Sequence, residues 1–557
     1  MAVDLLYTGG PVFTGAGRPL QGVAVAVEAG RIAAVVPERD AGGIVGPETE
    51  IVDLAGALLA PGFQDAHIHA VGGGVELLQC DLTRTASADE AVAEIAAYAE
   101  RTAPADGEPG WIVGAGWSMD HFPGGAPLRG LIDAVVADRP VLLESRDHHS
   151  AWANTAAIRA AGIDTSTPDP ADGRIERDAD GFPSGTFHEG AVGLFGGVRP
   201  ETSDELAYRG LLRAQEELLA LGITGWQDAM VGNDGPGAGA IEAYERGIAE
   251  GTLRVHVVGA QWWDRDRGLE QIERMLERRD ARAASGERDR FDLGTVKIMV
   301  DGVAENFTAS MLTPYRDADG HDTCNHGISF IDAEVLGEAV SRLDAAGMQV
   351  HFHALGDRAV RDALDAVAGA RAANGASDGR HHLAHLQVVA EVDAPRFAEV
   401  DATANLQMLW ATHEEQIDTL TLPFMQEGQE ARQYPFGDLV RGGARIAAGS
   451  DWPVSSADPL AAIQIAVTRI APGLEADPLG GAHQRLPLEV ALAAYTSGTA
   501  YVNHRDHDTG WVREGYLANL VVIEPDPFGL SDDELHRARV RETRVSGELV
   551  FTAPTAD

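Results

Sequence analysis

The sequence predicts an α/β protein: a (β/α)8 TIM barrel with a small β-sandwich built from both chain termini and an inserted subdomain after barrel strand one. Three observations predict it. Eight short apolar segments alternate with helical stretches rich in Ala, Leu, Arg and Glu, the pattern of a parallel sheet covered by helices. Strand-like segments broken by turns occur at both ends of the chain. The first two apolar segments are separated by about 160 residues, too many for a loop.

The eight apolar segments define the barrel, which we place at residues 58–507. In such barrels the active site lies at the carboxyl ends of the strands. The long first interval predicts an inserted subdomain at about residues 75–200. The predicted barrel strands are Leu58–Ala66, Ile223–Asp228, Leu253–Gly259, Thr295–Asp301, Gln349–Ala354, His381–Gln387, Ala402–Met408 and Ala444–Asp451.

We assign the predicted β-sandwich to residues 1–57 and 508–557. Neither end has enough strands for a stable sheet alone, so we expect the two ends to pair into one unit. The predicted strands are Asp4–Tyr7, Gly22–Glu28, Arg31–Val36, Glu50–Asp53, Leu517–Ile523, Arg541–Val545 and Glu548–Phe551.

The charge composition is strongly acidic. The 557 residues include 43 basic and 86 acidic ones, a formal net charge of −43. Such a surface repels phosphates and anionic headgroups, so we expect no nucleic-acid partner and no membrane attachment. Lys297 is the only lysine among the basic residues. On composition alone, the near absence of lysine reflects coding bias or a salt-adapted proteome. The one lysine that is present still has to be explained.

Other features of the sequence predict a soluble, cytoplasmic protein rather than a secreted one. Hydrophobic residues make up 45% of the chain, as in packed globular proteins. Two cysteines, Cys80 and Cys324, provide no disulfide framework, which fits a reducing compartment. The first residues do not have the pattern of a signal peptide. No apolar run approaches the roughly 18 residues that span a bilayer.

Two histidines, His67 and His69, end the first predicted strand. At i and i+2 they point to the same side of a strand, so both imidazoles can reach one metal ion. Such a pair alone is also compatible with ordinary hydrogen bonding. Its position after an apolar run and Pro61-Gly62, at a strand end, favours a metal site.

Further nitrogen and oxygen donors lie on later strands. Each alone is compatible with a structural role, such as a lysine paired with a carboxylate or an aspartate that caps a helix. Together they converge on the mouth of one barrel, which predicts a metal centre. They are Lys297 on strand four, His351 and His353 on strand five, His381, His382 and His385 on strand six, and Asp451 on strand eight. Periodicity does not choose between His351 and His353, nor between His381 and His385.

Several motifs of the chain occur together in one known family. They are Pro-Gly-Phe-x-Asp-x-His-x-His from Pro61, the strand-four lysine, His-Ala-Leu-Gly-Asp from His353, the strand-six histidine, Gly-Ser-Asp-Trp-Pro from Gly449, a late Ala-x-Leu-Val-Val strand, and the segment 147–154. With the split sandwich, they resemble the amidohydrolase superfamily over nearly the whole chain. The branch is its family 3, the YtcJ-like proteins that include N-substituted formamide deformylases. Two positions depart from it: Ala384 replaces the usual Glu before His385, and Asn519 replaces the usual Asp of the late strand.

The resemblance implies a metal centre and a set of ligands. It favours His353, which directly precedes Ala-Leu-Gly-Asp, and we prefer His385 for its position near the end of strand six. The cofactor would be Zn²⁺, one or two ions per subunit, although Mn²⁺, Fe²⁺ or Co²⁺ also suit such donors. The implied ligands are His67 and His69 for the first ion, His353 and His385 for the second, Lys297 as a bridge, and Asp451 for the first ion and the attacking water.

Lys297 can take the bridging role only after a chemical change. An ammonium group cannot bind a cation, but a neutral lysine with a pKa lowered by burial can add carbon dioxide and become a carbamate. The carbamylated Lys297 then offers two oxygens to ions about 3.5–4 Å apart. Asp451 would accept a proton from the water and donate it to the departing nitrogen.

The sequence therefore predicts a metal-dependent hydrolase that cleaves a non-peptide C–N bond, such as that of an N-acyl or N-formyl amine. The substrate would be a small molecule, and the resemblance suggests a homodimer. Two alternatives are a mononuclear deaminase on the same barrel, which needs no bridging lysine, and a non-catalytic binding or regulatory relative. Predicted substrate contacts, for which ordinary packing is the alternative, are Trp117, His149, Trp152, Trp410 and His413.

Overall fold

Eight parallel strands form the central sheet of the protein, which we describe from a computed structural model for residues 2–102, 110–232 and 237–554. Each strand pairs in parallel with the next along the chain. This confirms the predicted barrel. The strands are Phe63–Ile68, Ile223–Val231, His256–Trp262, Phe291–Met299, Gln349–Ala354, His382–His385, Thr403–Leu406 and Arg445–Ala448.

Barrel strand eight lies beside barrel strand one, so the sheet curves back on itself. The backbone N–H of Asp451 donates to the carbonyl of His67 at 2.8 Å. Gly449 allows this approach, because a Cβ there would lie 2.6 Å from the Cβ of His67. The two ends of the sheet thus meet where the histidine and aspartate motifs stand.

The first predicted barrel strand is in fact two strands. Leu58–Pro61 pairs antiparallel with Leu520–Glu524, and only Phe63–Ile68 belongs to the barrel. Gly62 lies between them, where a Cβ would come within 2.4 Å of Thr224. The sequence showed one apolar run because both strands are buried, one as a strand of the terminal sheet and one as a strand of the barrel.

The chain termini form two four-stranded sheets. Buried side chains of both sheets, among them Leu5, Val25, Leu59 and Val522, belong to one apolar cluster, so the sheets pack on each other. The division of the chain at 57 and 508 stays a prediction. In sheet order the strands are Arg31–Pro37, Val23–Glu28, Leu5–Thr8 and Glu50–Asp53, then Glu548–Thr552, Arg539–Val545, Leu520–Glu524 and Leu58–Pro61.

A separate six-stranded sheet lies between barrel strands one and two in the sequence. It has its own apolar core, which includes Trp117 and Trp152. The limits of the inserted subdomain, about 75–200, stay a prediction. In sheet order the strands are Gly173–Arg177, Pro183–Glu189, Ser150–Ala153, Val141–Ser145, Ile112–Trp117 and Cys80–Asp81.

The helices follow the pattern expected of a barrel cover. In Ala333–Ala345, for example, Leu336, Val340 and Leu343 are buried at helical spacing, and Asp332 caps the first turn. Across the described ranges, no helix is both long enough and apolar enough for a bilayer crossing. The α-helices are Ala70–Glu76, Ala88–Arg101, Arg129–Asp133, Thr155–Ala160, Asp204–Ala220, Ala240–Ala249, Gln271–Ala284, Ala333–Ala345, Asp357–Asn374, Arg396–Glu399, Phe436–Arg441, Pro459–Thr468, Leu488–Ala493 and Thr499–Val502.

Candidate metal centre

Two histidines and an aspartate converge on one point at the barrel mouth. Asp451 Oδ1 lies 3.1 Å from His67 Nε2 and 3.0 Å from His69 Nε2. His67 and His69 stand at the carboxyl end of barrel strand one, and Asp451 follows barrel strand eight. Imidazole nitrogens and a carboxylate oxygen this close together are a donor set that could hold one metal ion.

Lys297 lies next to this group. Its Nζ is 3.4 Å from His67 Nε2, and the residue is only 2% exposed. Burial lowers the pKa of Lys297 to about 7, although nearby Asp451 works in the opposite direction. Burial therefore favours the uncharged amine, the form that can react with carbon dioxide.

His353 and His385 form the other side of the cluster. Their ring centroids are 4.4 Å apart, and His385 lies 4.7 Å from His67 by the same measure. His385 Nδ1 is 3.8 Å from Asp451 Oδ2. Both rings are buried, yet His353 Nδ1 and both nitrogens of His385 lack a hydrogen-bond partner among the described residues. His353 Nδ1 lies 3.5 Å from the buried Asp301 Oδ1. Buried polar atoms rarely remain unpaired, so the nitrogens of His385 are available to bind a further group.

The electrostatics of the cluster favour neutral imidazoles and an ionised carboxylate. Burial lowers the pKa of His67 to about 3 and those of His353 and His385 well below their usual value. Burial alone would raise the pKa of Asp451, but His67 and His69 hold it well below its usual range. These are the protonation states that metal binding requires.

Sequence periodicity could not choose the ligand within the pair His351 and His353 or within the pair His381 and His385. The structure distinguishes the members of each pair by their surroundings in the barrel. His351 lies deeper in the barrel, where its Nε2 is 2.8 Å from His67 Nδ1, so it orients the His67 ring. Its own ring lies beside that of His382, with centroids 4.0 Å apart and planes tilted by 38°. His381 turns away from the cluster and pairs with Asp344 at 3.0 Å. Of these residues, His385 presents unpaired nitrogens next to Asp451, and the ring of His353 adjoins that of His385.

Backbone contacts hold the ligand-bearing loops in place. Asp65 accepts hydrogen bonds from the backbone N–H groups of His67 and Ser450, which ties strand one to strand eight. Gln407 Oε1 accepts from the N–H of His385 at 2.6 Å. Neither residue was predicted from the sequence to have a role at the site. The available signal was a polar residue within or just after an otherwise apolar strand.

Comparison with known proteins assigns the chain to one family. A protein-family model described as the amidohydrolase family matches residues 50–551. The chain belongs to the amidohydrolase family. YtcJ of Bacillus subtilis is 31% identical over 91% of each chain, and the N-substituted formamide deformylase of Arthrobacter pascens is 28% identical over 98% of each. An uncharacterised metal-dependent hydrolase from Pyrococcus horikoshii shares the fold, with a TM-score of 0.70 at 23% identity over 95% of this chain and 99% of the other.

The two departures from the amidohydrolase branch have different settings. Ala384 is buried next to His385, in register between His353 and Asn405. The carboxylate usual at this position is therefore missing beside two cluster residues. Asn519 closes a turn of the terminal sheet, where its Oδ1 accepts from the N–H of Ser546. It takes no part in the amidohydrolase centre.

Two of the predicted substrate residues lie beside the centre. Trp410 stacks on His385 with ring centroids 5.4 Å apart and planes 3° from parallel. The ring of His149 lies 5.6 Å from that of His353, and its Nδ1 is 2.9 Å from Glu189. Burial opposes the charged form, but Glu189 raises the pKa of His149 to about 9. An aromatic face and a cationic group thus border the cluster.

The other three predicted substrate residues have other contacts. His413 pairs with Asp418 at 2.7 Å on the loop that carries Trp410. Trp117 and Trp152 are fully buried in the core of the inserted sheet. Their indole N–H groups donate to backbone carbonyls, that of Trp117 to Leu143 and that of Trp152 to Leu128. The structure therefore does not bring these two tryptophans to the cluster, and packing is the role that it shows for them.

Proposed function

We propose that this amidohydrolase is a metal-dependent enzyme that hydrolyses a non-peptide C–N bond, such as that of an N-acyl or N-formyl amine. The observation that carries the proposal is the buried Lys297 beside His67, which together with His69 meets Asp451 at the mouth of the barrel. Family membership supports a hydrolase. The name of the Arthrobacter relative supports the class of bond.

The residues of the centre fit a metal cofactor, because buried imidazole nitrogens are left without partners. His67, His69 and Asp451 would hold one ion, and His353 and His385 a second. The mixed donors suit Zn²⁺ and also Mn²⁺, Fe²⁺ or Co²⁺. When bound, the metal would polarise the substrate carbonyl and make water acidic.

Lys297 would join the two halves of the centre as a carbamate. Its uncharged amine would attack the carbon of carbon dioxide, form an N–C bond and release a proton. The carbamate would be an anion with two oxygens in place of the neutral amine beside His67. Arginine could not serve here, because its guanidinium stays charged.

Asp451 would carry the proton of the reaction. Its ionised carboxylate faces His67, His69 and His385, at the point where the two halves of the centre meet. It would accept a proton from the attacking water and return it to the nitrogen that leaves as the C–N bond breaks.

Lys297→Ala tests the proposal. We expect the variant to lose metal by elemental analysis and to lose hydrolysis of a panel of N-formyl and N-acyl amines. Acetate or propionate should restore part of both, because the space vacated by the side chain admits a small carboxylate. Lys297→Met fills that space and is the matched control without rescue. Full metal content and activity in Lys297→Ala would refute the role of Lys297.

Two alternatives give different outcomes. A single tightly held ion per chain, with deamination activity that survives loss of Lys297, would indicate a mononuclear deaminase. Metal-loaded protein that turns over no member of a broad panel of amides, lactams and esters would indicate a non-catalytic relative.

A further inference from the structure

A histidine and a glutamate of the inserted sheet face the metal centre. His149 lies just before the strand Ser150–Ala153, and Glu189 ends the strand Pro183–Glu189 that pairs with it. The backbone N–H of Glu189 donates to the carbonyl of His149 at 2.8 Å, and the two side chains meet at 2.9 Å. We call these two residues the insert dyad.

The loop after barrel strand four holds the dyad from the other side. The hydroxyl of Thr308 donates to Glu189 Oε1 at 2.6 Å, so both carboxylate oxygens of Glu189 are engaged. The Asn306 side chain donates to the carbonyl of His149 at 3.3 Å. The dyad is thus fixed by the segment that follows the strand of Lys297.

The backbone at Glu189 is strained. Its φ is 51° with ψ −128°, a conformation that glycine adopts far more easily than a residue with a side chain. A strained backbone conformation persists only where the surrounding contacts hold it in place, and such conformations are common at functional sites. Here it aims the Glu189 carboxylate at His149 and Thr308.

This geometry leaves one nitrogen of His149 available. Nδ1 faces Glu189, so Nε2 is the ring nitrogen left for another partner. The ring lies next to that of His353, one of the proposed metal ligands. A carboxylate that holds one ring nitrogen sets the orientation of the other, as in many metal enzymes.

We infer that the inserted sheet supplies a substrate-binding group, His149, to the metal centre and that Glu189 is the residue that positions it. The inference rests on the proposed function. It means that the inserted sheet helps to bind the acyl oxygen of the substrate.

The test uses Co²⁺-loaded full-length protein and acetohydroxamate, a small chelating analogue of an acyl group. Visible absorption of the bound cobalt reports binding without any turnover. We expect His149→Gln to weaken acetohydroxamate binding by about tenfold at unchanged cobalt content. Glu189→Ala should weaken it similarly, whereas Glu189→Gln, whose amide oxygen can still accept from His149, should recover much of the affinity.

The neighbouring pair of His188 and Glu176 provides the matched control. It is a histidine–carboxylate contact of 3.2 Å in the same sheet that does not touch the cluster, so Glu176→Gln should bind like wild type. On a hydrolysed amide, His149→Gln should raise KM more than it lowers kcat. Unchanged acetohydroxamate affinity in His149→Gln would overturn the inference. If Glu189→Ala does not fold, the two glutamine variants decide.

The two proposals fail separately. Wild-type protein that binds acetohydroxamate through His149 but hydrolyses no amide would refute the proposed function and leave the role of the insert dyad intact. Protein that takes up no cobalt would overturn both.

Discussion

At the scale of single residues, Asp451 combines two tasks that one substitution can separate. Asparagine keeps the shape of the side chain and an oxygen for a metal ion, but it cannot accept a proton. We expect Asp451→Asn to lower kcat by about 10²–10⁴-fold with a much smaller change in KM, measured on an amide found active in the panel.

A second buried aspartate provides the control for this experiment. Asp393 is 1% exposed and pairs with Arg361 and Arg396, away from the barrel mouth. Asp393→Asn should lower stability yet keep kcat near the wild-type value. An equal loss of kcat in both variants would mean that Asp451 acts only through folding.

Two tryptophans with different surroundings should respond differently to the same substitution. Trp410 covers the ring of His385, so Trp410→Leu should weaken metal retention by about tenfold in a chelator competition. Trp152 lies in the insert core, so Trp152→Leu should cost about 2–4 kcal/mol in urea unfolding and leave metal retention unchanged. Loss of metal from Trp152→Leu would contradict the assignment of Trp152 to the insert core alone.

At the scale of elements, the contact between barrel strands one and eight depends on one glycine. A Cβ at Gly449 would lie 2.7 Å from the backbone nitrogen of His67, so the strands must move apart in Gly449→Ala. We expect a loss of about 1–3 kcal/mol in thermal unfolding together with lower metal content.

Gly337 is the matched comparison for this change. It lies in the helix Ala333–Ala345, and a Cβ there would meet nothing within 4 Å. Gly337→Ala should therefore stabilise the protein by up to about 1 kcal/mol, because alanine favours a helix, and leave metal content unchanged. Equal metal loss in both variants would contradict the idea that the contact between barrel strands one and eight is needed to retain the metal.

The sequence predicted elements better than contacts between them. All eight barrel strands were found because alternation of apolar strands and helices is a local signal. The break at Gly62 was missed, since it arises where the chain passes from pairing with the distant strand Leu520–Glu524 to pairing with Ile223–Val231. Likewise, His351 and His353 share one face of a strand, and only their depth in the closed barrel separates them. Glu189 could not be found, because its pairing with His149 joins positions 40 residues apart.

At the scale of the whole molecule, the net charge of −43 sets a predictable response to salt. Like charges on the folded surface repel one another, and salt screens this repulsion over about 10 Å at 0.1 M. We expect Tm to rise between 0.02 and 0.3 M NaCl, roughly with the extent of screening. Sucrose at equal osmolality is the control, because it adds no ions. It separates charge screening by salt from stabilisation by a solute that is excluded from the protein surface. A Tm that falls with NaCl would contradict the prediction.

The single lysine also makes the protein its own probe. Protein grown with isotopically labelled lysine carries that label at one site only, and Lys297 lies within 3.4 Å of His67. Every resonance of the labelled side chain therefore reports from the barrel mouth, without background from the rest of the molecule. The chemical state of that one nitrogen can be followed as metal, carbon dioxide or substrate is added.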